Sequence, residues 1–118
     1  MKKQLLVALF VGLFCCCTTS NIPDNEVIEN SVSDAPVKSQ VLIRLELTGT
    51  YTAAQVKELC EMMVRISSDK TMKYHPKPTH VWIYIYKSKA DCLKDGGSWI
   101  AMYGKAGAED PGDYTYRN

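Results

Sequence analysis

Between Gln40 and Leu47 the chain alternates: Val41, Ile43, Leu45 and Leu47 are apolar, and Leu42, Arg44 and Glu46 stand between them. A period of two sends successive side chains to opposite faces, so this stretch is predicted to be a strand with one buried face, ended by Gly49. After Tyr51 the period lengthens. Val56, Leu59, Cys60, Met63 and Ile66 recur at three and four residues, with Lys57, Glu58, Glu61 and Arg65 elsewhere, which predicts an amphipathic helix to about Ser67. Thr52 and Gln55 have the spacing of a capping box, and Tyr51 can staple onto Val56.

Lys73-Tyr74-His75-Pro76-Lys77-Pro78 cannot continue a helix, because each proline lacks an amide donor and pushes its predecessor into extended conformation. Thr79 to Tyr86, rich in β-branched and aromatic residues, is the strongest strand signal in the chain. Ser88 and Asp91 resemble a second capping box opening a short helix to about Leu93. Gly96-Gly97 then turns the chain into a strand over Ser98–Tyr103, ended by Gly104 and Gly107, and the tail after Pro111 forms at most a short edge strand. The expectation is an α+β domain over 40–118, in strand, helix, strand, strand order, with one main helix on one face of a sheet of about three strands.

Alternation also sorts the faces. Val81, Ile83 and Ile85 are expected to meet the helix together with Ile100 and Met102. The far face is then expected to gather His80, Trp82, Tyr84 and Tyr86 with Trp99, Tyr103 and Arg44, beside Leu42 and Glu46. Left uncovered, such a face is a candidate platform for a sugar ring or a protein partner, since Trp, Tyr and Arg dominate binding hot spots. The competing reading is packing alone, because aromatic cross-strand pairs contribute about 0.2–1 kcal/mol each to a sheet.

The first residues read differently. Met1-Lys2-Lys3 is a positive start, Leu5 to Phe14 is an unbroken apolar run of ten, and Cys15-Cys16-Cys17 follows at once. The run has the length of a signal-peptide core and falls short of the about 20 apolar residues of a spanning helix. With Leu13 three residues before Cys16, the segment resembles the signal of bacterial lipoprotein precursors. The resemblance implies cleavage after residue 15 and lipidation at Cys16, with Cys17 and Cys15 as alternatives. It places the product in the cell envelope, held by palmitate-type chains to a bacterial membrane. The absence of Asp right after Cys16 or Cys17 resembles precursors sorted to an outer membrane, on its periplasmic or surface side. Each buried methylene adds about 0.8 kcal/mol, so several acyl chains anchor firmly where one would not.

Residues 18–39 are rich in Ser, Asn, Asp and Pro without a sustained period, which predicts a flexible tether over 16–39 with a reach of roughly 25 Å. An early strand marked by Val27, Ile28 and Val32 is the alternative. The folded part loosely resembles small bacterial domains of no assigned function, and no functional residue is carried over from them.

At 118 residues the chain has room for one domain. Removing Lys2 and Lys3 from its 14 basic residues leaves 12 against 13 acidic, a net charge of about −1. That balance argues against nucleic acid, whose binding needs a basic surface. Cys60 and Cys92 form an even pair in an oxidising compartment. A bridge between them would be valued at roughly 3–4 kcal/mol by chain entropy, against the alternative that Cys60 is a small buried hydrophobe.

His75 and His80 lack the spacing of metal ligands, and Glu58 and Glu61 read as a wet helix face. No phosphate loop or nucleophile elbow is present. The expectation is therefore an interaction module binding an envelope protein or glycan, without cofactor, metal or enzymatic activity. A structural, stabilising or inhibitory envelope protein is the alternative.

Overall fold

The computed structural model describes residues 22–117; the expected signal and the cysteines Cys15, Cys16 and Cys17 lie outside the described residues. In chain order the elements are β1 (Asn25–Asp34), β2 (Ser39–Leu47), α1 (Ala53–Ser68), β3 (His80–Tyr86), α2 (Lys89–Lys94), β4 (Ala101–Ala106) and β5 (Asp113–Tyr116). The class is α+β, as expected, but the sheet has five strands rather than about three. Its spatial order follows the sequence, β1-β2-β3-β4-β5. Only β2 and β3 run parallel, so a crossover must join them, and α1 supplies it.

The capping signals act as read. Thr52 Oγ1 accepts from the Gln55 amide while Gln55 Oε1 accepts from the Thr52 amide, and Ser88 Oγ accepts from the Asp91 amide at the start of α2. Every second residue of β2 from Ser39 to Leu47 is buried. The core lies between that face and α1, joining Val41, Ile43 and Leu45 to Val81, Ile83 and Ile85 and to Val56, Leu59 and Cys60 of the helix. Fully burying a Val or Leu side chain contributes about 1.5–3 kcal/mol, and Val56 and Leu59, both fully buried, anchor α1 on the sheet.

At the last turn of α1 the expected apolar stripe drifts. Ile66 is 59% exposed, and Ser67 is buried in its stead. Helical positions advance 100° per residue, so a stripe begun at Val56 and continued through Leu59, Cys60 and Met63 passes to position 67, eleven residues on, rather than to 66.

Residues 25–34, expected within the flexible tether, form β1. Their side chains bury little, and Val27 and Val32 are about half exposed, at 49% and 51%. The strand is held instead by its ladder to β2, which runs from Asn25 opposite Leu47 to Asp34 opposite Ser39. One irregularity matters: Val27 faces Leu45 but Glu29 faces Arg44, so Ile28 is an extra, bulged residue. The bulge carries Glu29 to the same side as Arg44, where Arg44 Nε lies 3.2 Å from Glu29 Oε1.

A polar clamp ties the β1–β2 turn to the proline-rich connector. Ser39, fully buried, donates its hydroxyl proton to Asp34 Oδ1 at 2.6 Å, and His75 Nδ1 lies 2.7 Å from Ser39 Oγ. Since the only hydroxyl proton goes to Asp34, His75 must donate from Nδ1. Asp34 also accepts from the Lys73 and Tyr74 amides. These bonds, the Ser39 hydroxyl first, hold the Asp34 carboxyl below its ordinary value of 3.8. A carboxyl with a lowered folded value contributes stability above its unfolded value and loses that contribution as pH falls through the folded one. Acid unfolding below pH 4 should therefore become shallower in Asp34→Asn, read as the change in urea midpoint between pH 5 and 3. An unchanged slope would remove Asp34 from the acid response.

Candidate functional site

The ladders fix which side chains share the face opposite α1. Leu42, Trp82 and Gly104 lie side by side in one row, and Arg44, Tyr84 and Met102 in the next. Glu29 and Thr115 extend the second row at the two edges of the sheet. Helix α1 packs on the other side, against β3 and β4, while α2 packs against β2 and β3.

Trp82 is the centre of this face. Its Nε1 donates to Gln40 Oε1 at 3.0 Å. Its six-membered ring lies against Gly104, so closely that a Cβ there would sit 2.7 Å from Cζ3 and 3.0 Å from Cε3. A strand glycine thus serves as the seat of an aromatic ring. Beside it, the Arg44 guanidinium stands 5.5 Å from the Tyr84 ring centroid, within cation–π range. His80, half-buried at the margin, has Nδ1 2.8 Å from Thr79 Oγ1, and burial, followed by the nearby Lys38 charge, lowers its pKa.

Three of the expected platform residues are not available on its surface. Tyr86 is on this face but fully buried; its hydroxyl donates to the Gly96 carbonyl at 2.7 Å, and Cys92 of α2 lies against it and Arg44. Burial pushes the Tyr86 hydroxyl up to about 12. Tyr103 is on the opposite face, paired with Ile83, and Met102 takes the outward place expected for it. The parity differs because the chain bends at Ile100 before β4 begins at Ala101, and Ile100 and Ala101 are both buried in the core. Trp99 precedes the strand and is covered by Arg117, whose guanidinium lies 3.5 Å from the indole centroid and whose Nε donates to the Trp99 carbonyl. The platform is therefore Trp82, Tyr84 and Arg44, with Leu42 and Met102 filling between them and His80 at its rim.

Both later cysteines are free and buried. Cys60 belongs to the core beneath α1, whereas Cys92 sits under α2 on the other side of the sheet, so the sheet itself separates the expected pair. Burial, with a smaller push from Glu61, raises the Cys60 thiol to about 12, which leaves it a small hydrophobe rather than a nucleophile.

Two features had no local signal in the sequence. One is the clamp of Asp34, Ser39 and His75, whose members are far apart along the chain. It differs from a hydrolytic triad, in which the imidazole stands between hydroxyl and carboxylate; here the hydroxyl stands between the other two and is shielded from solvent. The other lies on the α1 side, where Cys60, Glu61, Val64, Arg65, Tyr103, Gly112 and Tyr114 line a cavity of about 530 Å³. The Tyr114 hydroxyl is buried there with no hydrogen-bond partner, a cost of about 1–3 kcal/mol. Burial, then Cys60, raises its pKa to about 12.

Among the described residues there is no cluster of three His, Cys, Asp or Glu side chains fit for a metal, and no helix long and apolar enough to cross a membrane. Comparison with known proteins gives no matching family model, no matching curated protein and no matching solved structure.

Proposed function

We propose that this protein is a non-enzymatic interaction module, held at a bacterial membrane through lipid on Cys16, with Cys17 and Cys15 as alternatives, and binding an envelope protein or glycan through Trp82, Tyr84 and Arg44. The observation that carries the reading is the seating of Trp82. Gln40 already satisfies its indole nitrogen and Gly104 supports its ring, so the side chain is fixed before any partner arrives. A preorganised aromatic costs little further entropy on binding. Arg44, stacked near Tyr84 and paired with Glu29, adds a planar cation of the kind enriched at interfaces.

Site-specific photo-crosslinking in intact cells tests this. A crosslinker in place of Leu42, within the face, should capture one defined envelope component or glycan strand, and Trp82→Ala should abolish that adduct in protein that still folds. A crosslinker at Glu58, exposed on α1, should not capture it. The same adduct from both positions, or none from Leu42, would return the aromatics to packing.

A further inference from the structure

On the side of the sheet away from Trp82, the C-terminal half of α1 and the β4–β5 hairpin leave the cavity of about 530 Å³ between them. That volume is in the range of small-molecule sites, about 300–1,000 Å³. Its walls combine an apolar surface, from Val64, Cys60 and the rings of Tyr103 and Tyr114, with one negative and one positive charge, Glu61 and Arg65. Gly112 keeps one wall low. It adopts φ +88°, and a Cβ there would run into the Tyr103 ring and hydroxyl, so the position is reserved for glycine twice over.

Glu61 and Arg65 stand four residues apart on α1, the spacing at which opposite charges ordinarily pair. Neither forms an ion pair among the described residues. Each therefore has a charge to offer at the rim of an apolar space. A ligand with a single charge would match one of them and face the other uncompensated.

We infer that this cavity binds a small zwitterion of the amino-acid class with an apolar side chain, its ammonium group toward Glu61, its carboxylate toward Arg65 and its side chain against Tyr103 and Val64. Aromatic rings beside a carboxylate suit an ammonium group. A guanidinium suits a carboxylate because its N–H groups fit both oxygens. The site is independent of the Trp82 face and stands or falls without it.

Titration of the isotope-labelled protein with L-phenylalanine, phenethylamine and 3-phenylpropionate, followed by amide chemical shifts, tests the assignment. L-Phenylalanine should give saturable shifts confined to residues 60–65, Tyr103 and 112–114, and should bind roughly tenfold more tightly than either analogue, which lacks one charge. Glu61→Gln should erase its advantage over 3-phenylpropionate, and Arg65→Gln its advantage over phenethylamine. Both side chains are exposed, so unchanged shifts in β1 and β2 will verify that the variants fold. Absence of saturable shifts with all three compounds overturns the proposal. So does equal affinity for all three, or shifts that map to the Trp82 side.

Discussion

Ile83→Ala should lower the unfolding free energy by about 3–4 kcal/mol, within the range found for large-to-small changes at well-packed sites. Ile83 is at the middle of the central strand, fully buried, with Ile43 paired on one side and Tyr103 on the other. Truncation removes its contacts with the core under α1, and the ladders on either side prevent the backbone from closing the space. A fold of this size has a total stability of about 5–15 kcal/mol, so the loss is a large fraction of it. The thermal midpoint should fall by roughly 15–25 °C, measured by circular dichroism. A drop below about 1 kcal/mol would mean that the core can collapse around position 83 and that α1 is held mainly from elsewhere.

The second large effect is expected at Gly104, and it acts on the other side of the sheet. In Gly104→Val the new side chain would occupy the seat of the Trp82 ring, 2.7 Å from Cζ3 at its first carbon alone. The indole must swing out, breaking its bond to Gln40 and losing its contact with the strand, at a cost of about 2 kcal/mol. Trp99 is the other tryptophan, so the measurement belongs in a Trp99→Phe background where emission reports Trp82 alone. Emission should move to longer wavelength as the ring enters water. An unshifted spectrum with unchanged stability would mean that the ring does not depend on the glycine. If the face binds as proposed, this variant should also lose the Leu42-directed adduct, although Gly104 offers no side chain to a ligand.

Much of the fold was legible because two physical signals were unambiguous. The strict alternation of β2 and the β-branched and aromatic run of β3 left one buried face for each, and the Thr52–Gln55 box placed the start of α1 correctly. β1 was only the alternative reading, marked by Val27, Ile28 and Val32, for a matching reason: its residues include Asn, Ser, Glu and Asp, and what orders them is backbone pairing to β2, which leaves no hydrophobic period. The face of β4 depended on parity. A strand alternates faithfully only from a known origin, and the bend at Ile100 moved that origin, exchanging Met102 and Tyr103.

The candidate site was legible where it depended on β2 and β3 and not where it depended on later chain. Arg44, Trp82 and Tyr84 are as expected, on one face in adjoining rows. Tyr86 shares that face but is capped by the Gly96 turn, whose approach no pattern in the strand could announce. Trp99 was removed by Arg117, eighteen residues further on. The cavity was invisible for a related reason: Glu61 and Arg65 look like ordinary wet helix positions until Tyr103 and Tyr114 are brought opposite them by the β4–β5 hairpin.

The separation of the two buried thiols gives the molecule a pair of internal clocks. Cys60, buried beneath α1 at the cavity wall, becomes more reactive when α1 lifts from the sheet, and Cys92 when the six-residue α2 and its turn open on the other side. Because the sheet divides them, the rate at which each is alkylated reports the opening of one layer without the other. A short helix with few contacts should tick faster than a long one laid across the core.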